Sequence, residues 1–307
     1  MPHPQRIDIL LFDRFSNHCL ANTVEPLRAA NMLSGQSLYH WRFLTLDGQP
    51  VASSSGMEVT PIAALGPGRG DMLCVMPSYG VRSLDRWDVI RPLRRAAGQY
   101  QTLAGFDTGS WLLARAGLLE GRRATIHWDE LTAFAEAFPD VLAVRERFVM
   151  EGDRITCSGA MAAFDLVSQL IAKAHGPLLA MDVAQLFMTN ETVPHAGRMP
   201  LVTGKTAARA VEMMQANLEH PLSIPALARS LGCTQKTLEA RMRTALQATP
   251  QSVYLRLRLN HACQLLRDTD YPISEIAGRC GYENASAMTR AFRSAFRQTP
   301  RDFRQGV

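Results

Sequence analysis

The sequence predicts two domains of different fold class: an α/β domain with a doubly wound parallel sheet, followed by an all-α domain with two helix-turn-helix units. Three observations support this prediction. Strand-like and helical segments alternate over the first 190 of the 307 residues, one motif occurs twice in the last third, and that last third holds the basic excess. We therefore predict domains at residues 1–190 and 207–307, joined by a linker at 191–206.

The α/β prediction rests on short apolar runs bounded by Gly, Pro, Asp or Asn, which are typical of buried strands. These runs cover residues 7–12, 41–46, 72–76 and 102–106. Helical periodicity occupies the segments 23–33, 84–99, 110–119, 129–138, 160–174 and 178–188. Strands and helices that alternate in this way form a parallel sheet covered on both faces.

The all-α prediction rests on an internal repeat. Residues 224–233 return as residues 273–282, 49 positions later, and the match then continues with a shift of 50, from 238 and 288 to 250 and 300. Each copy reads as a short helix, a turn and a second helix. Gly232 and Gly281 occupy the same place in the two turns, where a residue that tolerates positive φ is needed. This is the helix-turn-helix pattern, whose second helix enters the major groove of DNA.

The second helix of each copy has one apolar face and one polar face. Arg pairs bidentately with guanine, and Asn or Gln with adenine. A helix at 252–267, about 24 Å long, separates the copies, which suits two adjacent major grooves about 34 Å apart. We predict that the polar faces contact DNA through Gln235, Lys236, Glu239 and Arg243 in the first unit, and through Asn284, Ser286, Thr289, Arg290 and Arg293 in the second.

The charge of the chain is unevenly distributed. Residues 201–307 hold 15 Lys and Arg against 8 Asp and Glu, a net charge of +7, whereas residues 1–200 have a net charge of −2. A phosphate backbone attracts such a basic region whatever its sequence. The charge alone fits a solvated basic face equally well, and the repeat is what favours DNA.

Other classes of protein are not favoured. The apolar run at 7–12 is interrupted by Asp8 and is too short for a secretory signal, and no stretch is long enough to span a membrane. The six Cys form no C-x-x-C pair and have no His at metal-ligand spacing. We predict a cytoplasmic protein with reduced thiols and without a metal or other cofactor.

Residues 207–304 resemble the DNA-binding domain of AraC-family transcriptional regulators. The residues that carry the resemblance include Leu227-Ala228, Gly232, Leu238, Thr249-Pro250, Arg258-Leu259, Ile276-Ala277, Cys280-Gly281-Tyr282, Arg290-Ala291-Phe292-Arg293 and Thr299-Pro300. The resemblance implies a sequence-specific regulator that binds double-stranded promoter DNA. We expect an activator that forms a homodimer through its N-terminal domain.

Residues 1–190 resemble the PfpI-like branch of the class I glutamine amidotransferase fold, which is flavodoxin-like. The resemblance is carried by Gly105-Phe106-Asp107-Thr108-Gly109, by residues 116–122, by Ala124-Thr125-Ile126-His127-Trp128 and by Thr156-Cys157-Ser158-Gly159. Active members place a nucleophilic Cys at a strand-to-helix turn, served by a His and an acidic residue. Here Asp107 stands at that turn, and Cys157 lies at the start of another helix. We therefore predict a pocket without turnover.

We predict that this pocket binds a small nitrogenous effector. A zwitterion such as an amino acid or betaine would place its carboxylate at the N-terminus of helix 110–119 and its cation near Asp107. Tyr79 and other aromatic side chains could surround a quaternary ammonium. The predicted contacts are Glu25, Asp107, Thr108, Gly109, Trp111, His127 and Trp128. The resemblance implies effectors such as arginine, carnitine or glycine betaine.

Two alternatives stay open at the level of sequence. One is an enzyme, a hydrolase or lyase that uses Asp107 or Cys157 with His127 as the base, fused to a DNA-binding domain. The other is a nucleic-acid binder without sequence preference, which would bind all duplexes equally at matched salt.

Overall fold

The computed structural model describes residues 3–66, 68, 70–187 and 204–305. The chain forms two compact units, one of Met1–Asn31 with Ser37–Val167 and one of Met32–Gln36 with Ser168–Val307. The first unit contains a mixed sheet with helices, and the second is helical. The fold class predicted for each part of the chain is therefore confirmed.

The α/β part follows the predicted alternation. Its strands are β1 Gln5–Leu11, β2 Tyr39–Thr45, β3 Val51–Ala52, β4 Glu58–Val59, β5 Ala63–Ala64, β6 Gly70–Met76, β7 Tyr100–Phe106, β8 Arg123–Ala124, β9 Leu142–Ala143, β10 Phe148–Glu151 and β11 Arg154–Cys157. Its helices are α1 Asn17–Ser34, α2 Trp87–Ala97, α3 Gly109–Arg115, α4 Leu131–Ala137 and α5 Ala160–His175, with short 3-10 helices at Val81–Leu84 and Trp128–Glu130.

The main sheet has seven strands in the order β10-β11-β7-β6-β1-β2-β5. Strand β1 pairs in parallel with both β2 and β6, so the order of the strands reverses beside β1. Ligands of open α/β sheets bind at the carboxyl ends of the strands next to such a reversal. The structure therefore directs attention to the loops that follow β6 and β7.

The four predicted strands correspond to β1, β2, β6 and β7. The sequence did not predict the β10–β11 hairpin, whose second strand extends the sheet in parallel to β7. The predicted helix 110–119 is shorter in the structure, because α3 ends at Arg115 and Gly117 adopts a φ of 73°. A helix that ends this early has a weaker dipole than a ten-residue helix would have.

Strand β1 carries a buried acidic residue at the middle of the sheet. Asp8 accepts hydrogen bonds from the Nε and Nη2 atoms of Arg42, at 2.8 and 2.6 Å, and from the hydroxyl of Tyr100 at 2.7 Å. Asp8 and Arg42 are direct neighbours in the register of β1 and β2. The acidic residue that interrupts the apolar run is thus part of an ion pair within the α/β unit.

The helical part consists of α6 Pro177–Phe187, α7 Lys205–Gln215, α8 Ile224–Ser230, α9 Gln235–Leu246, α10 Pro250–Asp268, α11 Ile273–Arg279, α12 Ala285–Phe296 and α13 Pro300–Gln305. Polar side chains fix the starts of five of these helices, because Ser223, Thr234, Thr249, Asn284 and Thr299 each accept a hydrogen bond from a backbone N–H of the first turn. These caps explain why the repeated motif folds into separate helices.

Two apolar clusters form the interior of the helical unit, one for each helix-turn-helix. The first contains Leu227, Leu238, Met242 and Leu246 with Val253 and Leu257 of α10. The second contains Ile276, Met288 and Phe292 with Leu259, Ala262 and Leu266 of α10. Helix α10 thus contributes successive stretches of one helix to both clusters.

The packing of α6 differs from the predicted organisation. The sequence placed this helix in the N-terminal domain, but Met181 of α6 is buried in the first apolar cluster of the helical unit. Residues 188–203 lie outside the described residues, so the predicted boundary at 190 remains a prediction. Lys205 and Thr206, which the sequence placed at the end of the linker, form the start of α7.

Candidate DNA-reading faces and candidate effector site

The two helix-turn-helix units share one backbone geometry. Gly232 and Gly281 adopt φ values of 66° and 71°, and the N–H groups of Cys233 and Tyr282 bond back to the carbonyls of Ala228 and Ala277. Helices α9 and α12 both span 12 residues. The sequence repeat is therefore a repeat of structure, and α9 and α12 are equivalent second helices of the two units.

The polar face of α9 carries the predicted side chains of the first unit. Gln235, Lys236 and Arg243 are exposed and Glu239 is half-buried. The side chains of Gln235 and Glu239 are joined by a hydrogen bond of 2.8 Å from Nε2 to Oε1. Such a bond orients the Gln235 amide before DNA is bound, which favours a directional contact with a base edge.

The polar face of α12 is more basic. Ser286, Arg290 and Arg293 are exposed and Thr289 is half-buried. Asn284 is the N-cap of the helix, with its Oδ1 atom accepting from the N–H of Ala287 at 2.8 Å. A base contact from Asn284 would have to use its remaining amide N–H groups or give up the cap. Base contact by these residues stays a prediction.

Sequence reasoning did not identify Arg258 as a structural residue of the second unit. Its Nε and Nη2 atoms donate to the carbonyls of Cys280 and Gly281 at 2.6 and 2.7 Å, and its guanidinium lies 4.1 Å from the ring centroid of Tyr282. These contacts hold the turn of the second unit against α10. The signal was the Arg258-Leu259 pair, which was noted only as part of a family resemblance.

We expect the substitution Arg293→Ala to weaken binding to a specific duplex by about 1–3 kcal/mol without unfolding the protein, because the side chain is exposed and an arginine can pair with a base or a phosphate. A salt-controlled fluorescence anisotropy titration measures this change. Arg86→Ala, on an exposed arginine of the α/β unit, is the matched control. Equal affinities of Arg293→Ala and wild type would remove Arg293 from the DNA-reading face.

The candidate effector site is built on the turn between β7 and α3. Asp107 adopts a φ of 59°, which is unusual for a residue with a side chain. A Cβ atom at Gly109 would lie 2.1 Å from the carbonyl oxygen of Val75, and one at Gly105 would lie 2.7 Å from the N atom of Ser110. The two glycines therefore permit the close approach of helix and strands that presents Asp107 at the turn.

Asp107 is buried and has a defined set of neighbours. Its Oδ2 atom accepts a hydrogen bond from the Ser78 hydroxyl at 2.9 Å, and the same hydroxyl oxygen accepts from the N–H of Ser16 at 3.0 Å. Burial raises the pKa of Asp107, and the Ser78 hydrogen bond and the nearby His127 partly oppose this rise. Ser78 was missed by the sequence analysis, although it follows β6 beside the reversal of strand order.

Two further predicted contacts, Thr108 and Trp111, follow Asp107 in the chain and are both buried. Thr108 is buried, and its hydroxyl donates to the carbonyl of Ser78 at 2.8 Å. Trp111 is buried in the core against Phe134 and Phe138, and its indole N–H donates to Asp85 at 3.2 Å. The packing of Trp111 in the core therefore does not support its predicted role in surrounding a cation.

Aromatic side chains next to the site residues are exposed. Trp128 is 63% exposed and Tyr79 is 57% exposed, and each directly follows a residue of the site, His127 or Ser78. The His127 and Trp128 ring centroids are 5.7 Å apart. Gly159 makes room for the His127 ring, because a Cβ atom there would lie 3.3 Å from its Cδ2 atom.

Glu25 and Cys157 have surroundings that limit their predicted roles. Glu25 lies on α1 and forms an ion pair with Arg28 at 2.7 Å, with 44% of its side chain exposed. Cys157 ends β11, is fully buried, and donates to the carbonyl of Gly159 at 3.6 Å. Burial is the main cause that raises the pKa of the Cys157 thiol to about 12. A thiolate nucleophile at this position is disfavoured.

These features define a class of protein: a DNA-binding regulator with two helix-turn-helix units and an amidotransferase-like α/β unit. Residues 227–306 match the helix-turn-helix domain family. The chain is 38% identical to the transcriptional regulator CdhR of Pseudomonas aeruginosa over 95% of its own length and 89% of the relative. It is 36% identical to the regulator GbdR of the same species, over 99% and 85%.

The chain belongs to the AraC family of transcriptional regulators. The chain is also similar to the isonitrile hydratase of Pseudomonas putida, with 32% identity over 59% of this chain and 75% of that enzyme. A solved AraC-family regulator from Pseudomonas putida matches 60% of this chain and all of that chain, with 26% identity and a TM-score of 0.53.

A ThiJ/PfpI family protein from Pseudomonas syringae shares the fold at 16% identity, with a TM-score of 0.55 over 83% of this chain and 91% of that chain. The predicted PfpI-like fold is thereby confirmed. Within the described part of the chain, none of the helices combines the length and the apolar character needed to cross a lipid bilayer.

Proposed function

We propose that this protein is a cytoplasmic, homodimeric activator that reads promoter DNA in a sequence-specific way and is controlled by a small cationic or zwitterionic metabolite. The observation that carries the proposal is the residue at the turn after β7. A buried carboxylate, Asp107, stands where an amidotransferase-like enzyme needs a thiol. A carboxylate cannot replace a thiolate in that chemistry, and we infer that the position binds a ligand.

The chemistry of the site favours a ligand with a positive group. Asp107 supplies a carboxylate whose burial strengthens its attraction for a cation. The exposed aromatic side chains of Tyr79 and Trp128 flank the site in sequence and offer faces to a quaternary ammonium or a guanidinium. Amino acids and betaines combine such a group with a carboxylate, and they are the effector class that we propose.

The second candidate function is catalysis by the α/β unit, which the similarity to an isonitrile hydratase favours. The geometry opposes it, because Asp107 accepts the Ser78 hydrogen bond and Cys157 is fully buried with a raised pKa. We expect no multiple turnover when purified protein is incubated with amino acids, betaines or isonitriles. Product in excess of protein would establish catalysis by the α/β unit and contradict the proposal that this unit binds its ligand without turnover.

We expect Asp107→Asn to abolish the transcriptional response to the effector while basal DNA binding survives, because the change removes the charge and keeps the size of the side chain. A thermal-shift screen of amino acids, betaines and polyamines identifies the ligand, since ligand binding to the native state raises its melting temperature. Asp88→Asn, on an exposed carboxylate of α2, is the control. A normal dose-response in Asp107→Asn would move the site elsewhere.

The raised pKa of Asp107 predicts a pH dependence of ligand binding. Protonation neutralises the carboxylate, so affinity for a quaternary ammonium should fall on acidification and approach a tenfold loss per pH unit below the pKa. Calorimetric titration with a quaternary ammonium that lacks a carboxylate isolates this effect. His127 and Asp129 also lie in this region, so the same titrations of His127→Gln and Asp129→Asn separate their contributions from that of Asp107. A flat profile that matches Asp107→Asn would contradict a role for the ionised carboxylate.

A further inference from the structure

Helix α6 carries a carboxylate to which neither the DNA-reading faces nor the effector site assigns a role. The side chain of Asp182 is fully buried. Its Oδ2 atom accepts from Nε of Arg256 at 2.6 Å, and its Oδ1 atom accepts from Nδ2 of Asn260 at 2.6 Å. Both partners lie on α10, one helical turn apart. A carboxylate that has lost its hydration is retained only with such partners.

The two partners lie where the apolar clusters of the helical unit meet along α10. Val253 and Leu257 of α10 belong to the first cluster, and Leu259 and Ala262 belong to the second. Arg256 and Asn260 fall within this change from one cluster to the other. Asp182 therefore binds the part of α10, at Arg256 and Asn260, that connects the two helix-turn-helix units.

Helix α6 is itself anchored in the first unit. Met181, next to Asp182, is buried in the first cluster, and Leu178 packs against the same cluster. The helix thus has two attachments in the helical unit: apolar contacts with the first cluster, and an ion pair with Arg256 of α10. Burial raises the pKa of Asp182, and the Arg256 charge and the two hydrogen bonds oppose that rise.

We propose that Asp182 is a positioning residue for DNA reading. By binding α10 where the first apolar cluster is followed by the second, it fixes the separation and orientation of α9 and α12. The inference rests on the proposed reading of DNA by both units. One base pair inserted between the two DNA segments shifts the second by about 3.4 Å and turns it by roughly 35°. If α10 is held rigidly by Asp182, the protein should bind only one spacing of the two DNA segments. If that contact is lost, it should bind several spacings.

The test uses the full chain and a set of duplexes. The set contains both DNA segments at the natural spacing, the same segments with one or two base pairs inserted or removed between them, and each segment alone. Asp182→Asn keeps the size of the side chain and removes its charge. Asp268→Asn makes the same chemical change at an exposed position of α10 and is the matched control.

For Asp182→Asn we expect about a tenfold loss of affinity at the natural spacing, unchanged affinity for the single segments, and a flatter profile across the spacing series. Asp268→Asn should keep the wild-type profile. If Asp182→Asn loses equal affinity on single and double segments, or keeps the wild-type profile, the inference is wrong. A wild-type protein without any sequence preference would instead overturn the proposed function.

A second variant covers the case in which Asp182→Asn does not fold. Asp182→Leu combined with Arg256→Met removes the ion pair and leaves no buried charge without a partner, a replacement that protein interiors tolerate. Far-UV circular dichroism and denaturant unfolding verify its fold. This double variant should also show the flattened spacing profile, and a wild-type profile in a folded double variant would overturn the inference.

Discussion

Gly281→Ala is expected to destabilise the helical unit by about 3 kcal/mol, whereas the equivalent substitution Gly232→Ala should cost only about 1 kcal/mol. Both residues have positive φ, so both substitutions strain the backbone. Only Gly281 is also crowded. A Cβ atom there would lie 2.5 Å from the carbonyl oxygen of Leu218 and 2.6 Å from Pro221, while the position at Gly232 is open.

The comparison is internally controlled because the two glycines occupy equivalent turns of one repeat. The four Trp residues of the chain all lie in residues 41–128, so tryptophan fluorescence reports on the α/β unit alone. Denaturant unfolding followed by far-UV circular dichroism is the appropriate measurement for the helical unit. Specific DNA binding should fall in parallel for Gly281→Ala. Equal losses of stability for the two variants would show that the close approach to Leu218 is not a constraint.

Asp8→Ala is expected to destabilise the α/β unit by about 3 kcal/mol, near the lower end of the range for breaking a buried ion pair. Asp8 is 1% exposed and the Arg42 side chain is 30% exposed, so water can partly solvate Arg42 after the change. The Tyr100 hydroxyl also loses its acceptor. Burial, followed by the hydrogen bond to Asp8, raises the pKa of Tyr100.

Tryptophan fluorescence during denaturant unfolding measures the effect of Asp8→Ala on the unit that contains this ion pair. Glu25→Ala provides the control, because it breaks an exposed pair with Arg28 and should cost less than about 1 kcal/mol. DNA binding by the helical unit should be retained under native conditions. An unfolding free energy of Asp8→Ala within 1 kcal/mol of the control would contradict a stabilising role for the buried carboxylate.

The sequence predicted most of the helical unit because its signals are local. The turns at Gly232 and Gly281 follow from the conformational needs of single residues. The caps at Thr234 and Thr249 are equally local, although the sequence analysis did not identify them. Asn284 shows the limit of this reasoning. As a polar residue before a recognition helix it was predicted as a base contact, yet its Oδ1 atom caps the helix.

The effector site could be predicted only in outline, because its members come together through long-range pairing. The motif around Asp107 predicted the turn, but Ser78 lies 29 positions away and reaches Asp107 only through the pairing of β6 with β7. Trp111 was predicted as a ligand contact from its type and position. Helical geometry turned it into the core, where Phe134 and Phe138 surround it.

The placement of α6 was not accessible from sequence. Its apolar character is compatible with either domain, and its role depends on a hydrogen-bonded contact between Asp182 and residues more than 70 positions away. A charged residue in an apolar helix was the one available signal, since such residues are rarely buried without a partner. The sequence does not say which partner that is.

The central claim is that two recognition helices read DNA sequence under the control of a metabolite bound in an α/β unit without turnover. The most direct test is the ratio of affinities for the specific and a scrambled duplex at fixed salt, measured with and without the metabolite identified by thermal shift. In the state with the higher affinity for the specific duplex, we predict a ratio of at least about 10³. Adding the metabolite should change the affinity of the wild type for the specific duplex and should leave that of Asp107→Asn unchanged. Equal affinities for the two duplexes, with and without ligand, would contradict the account.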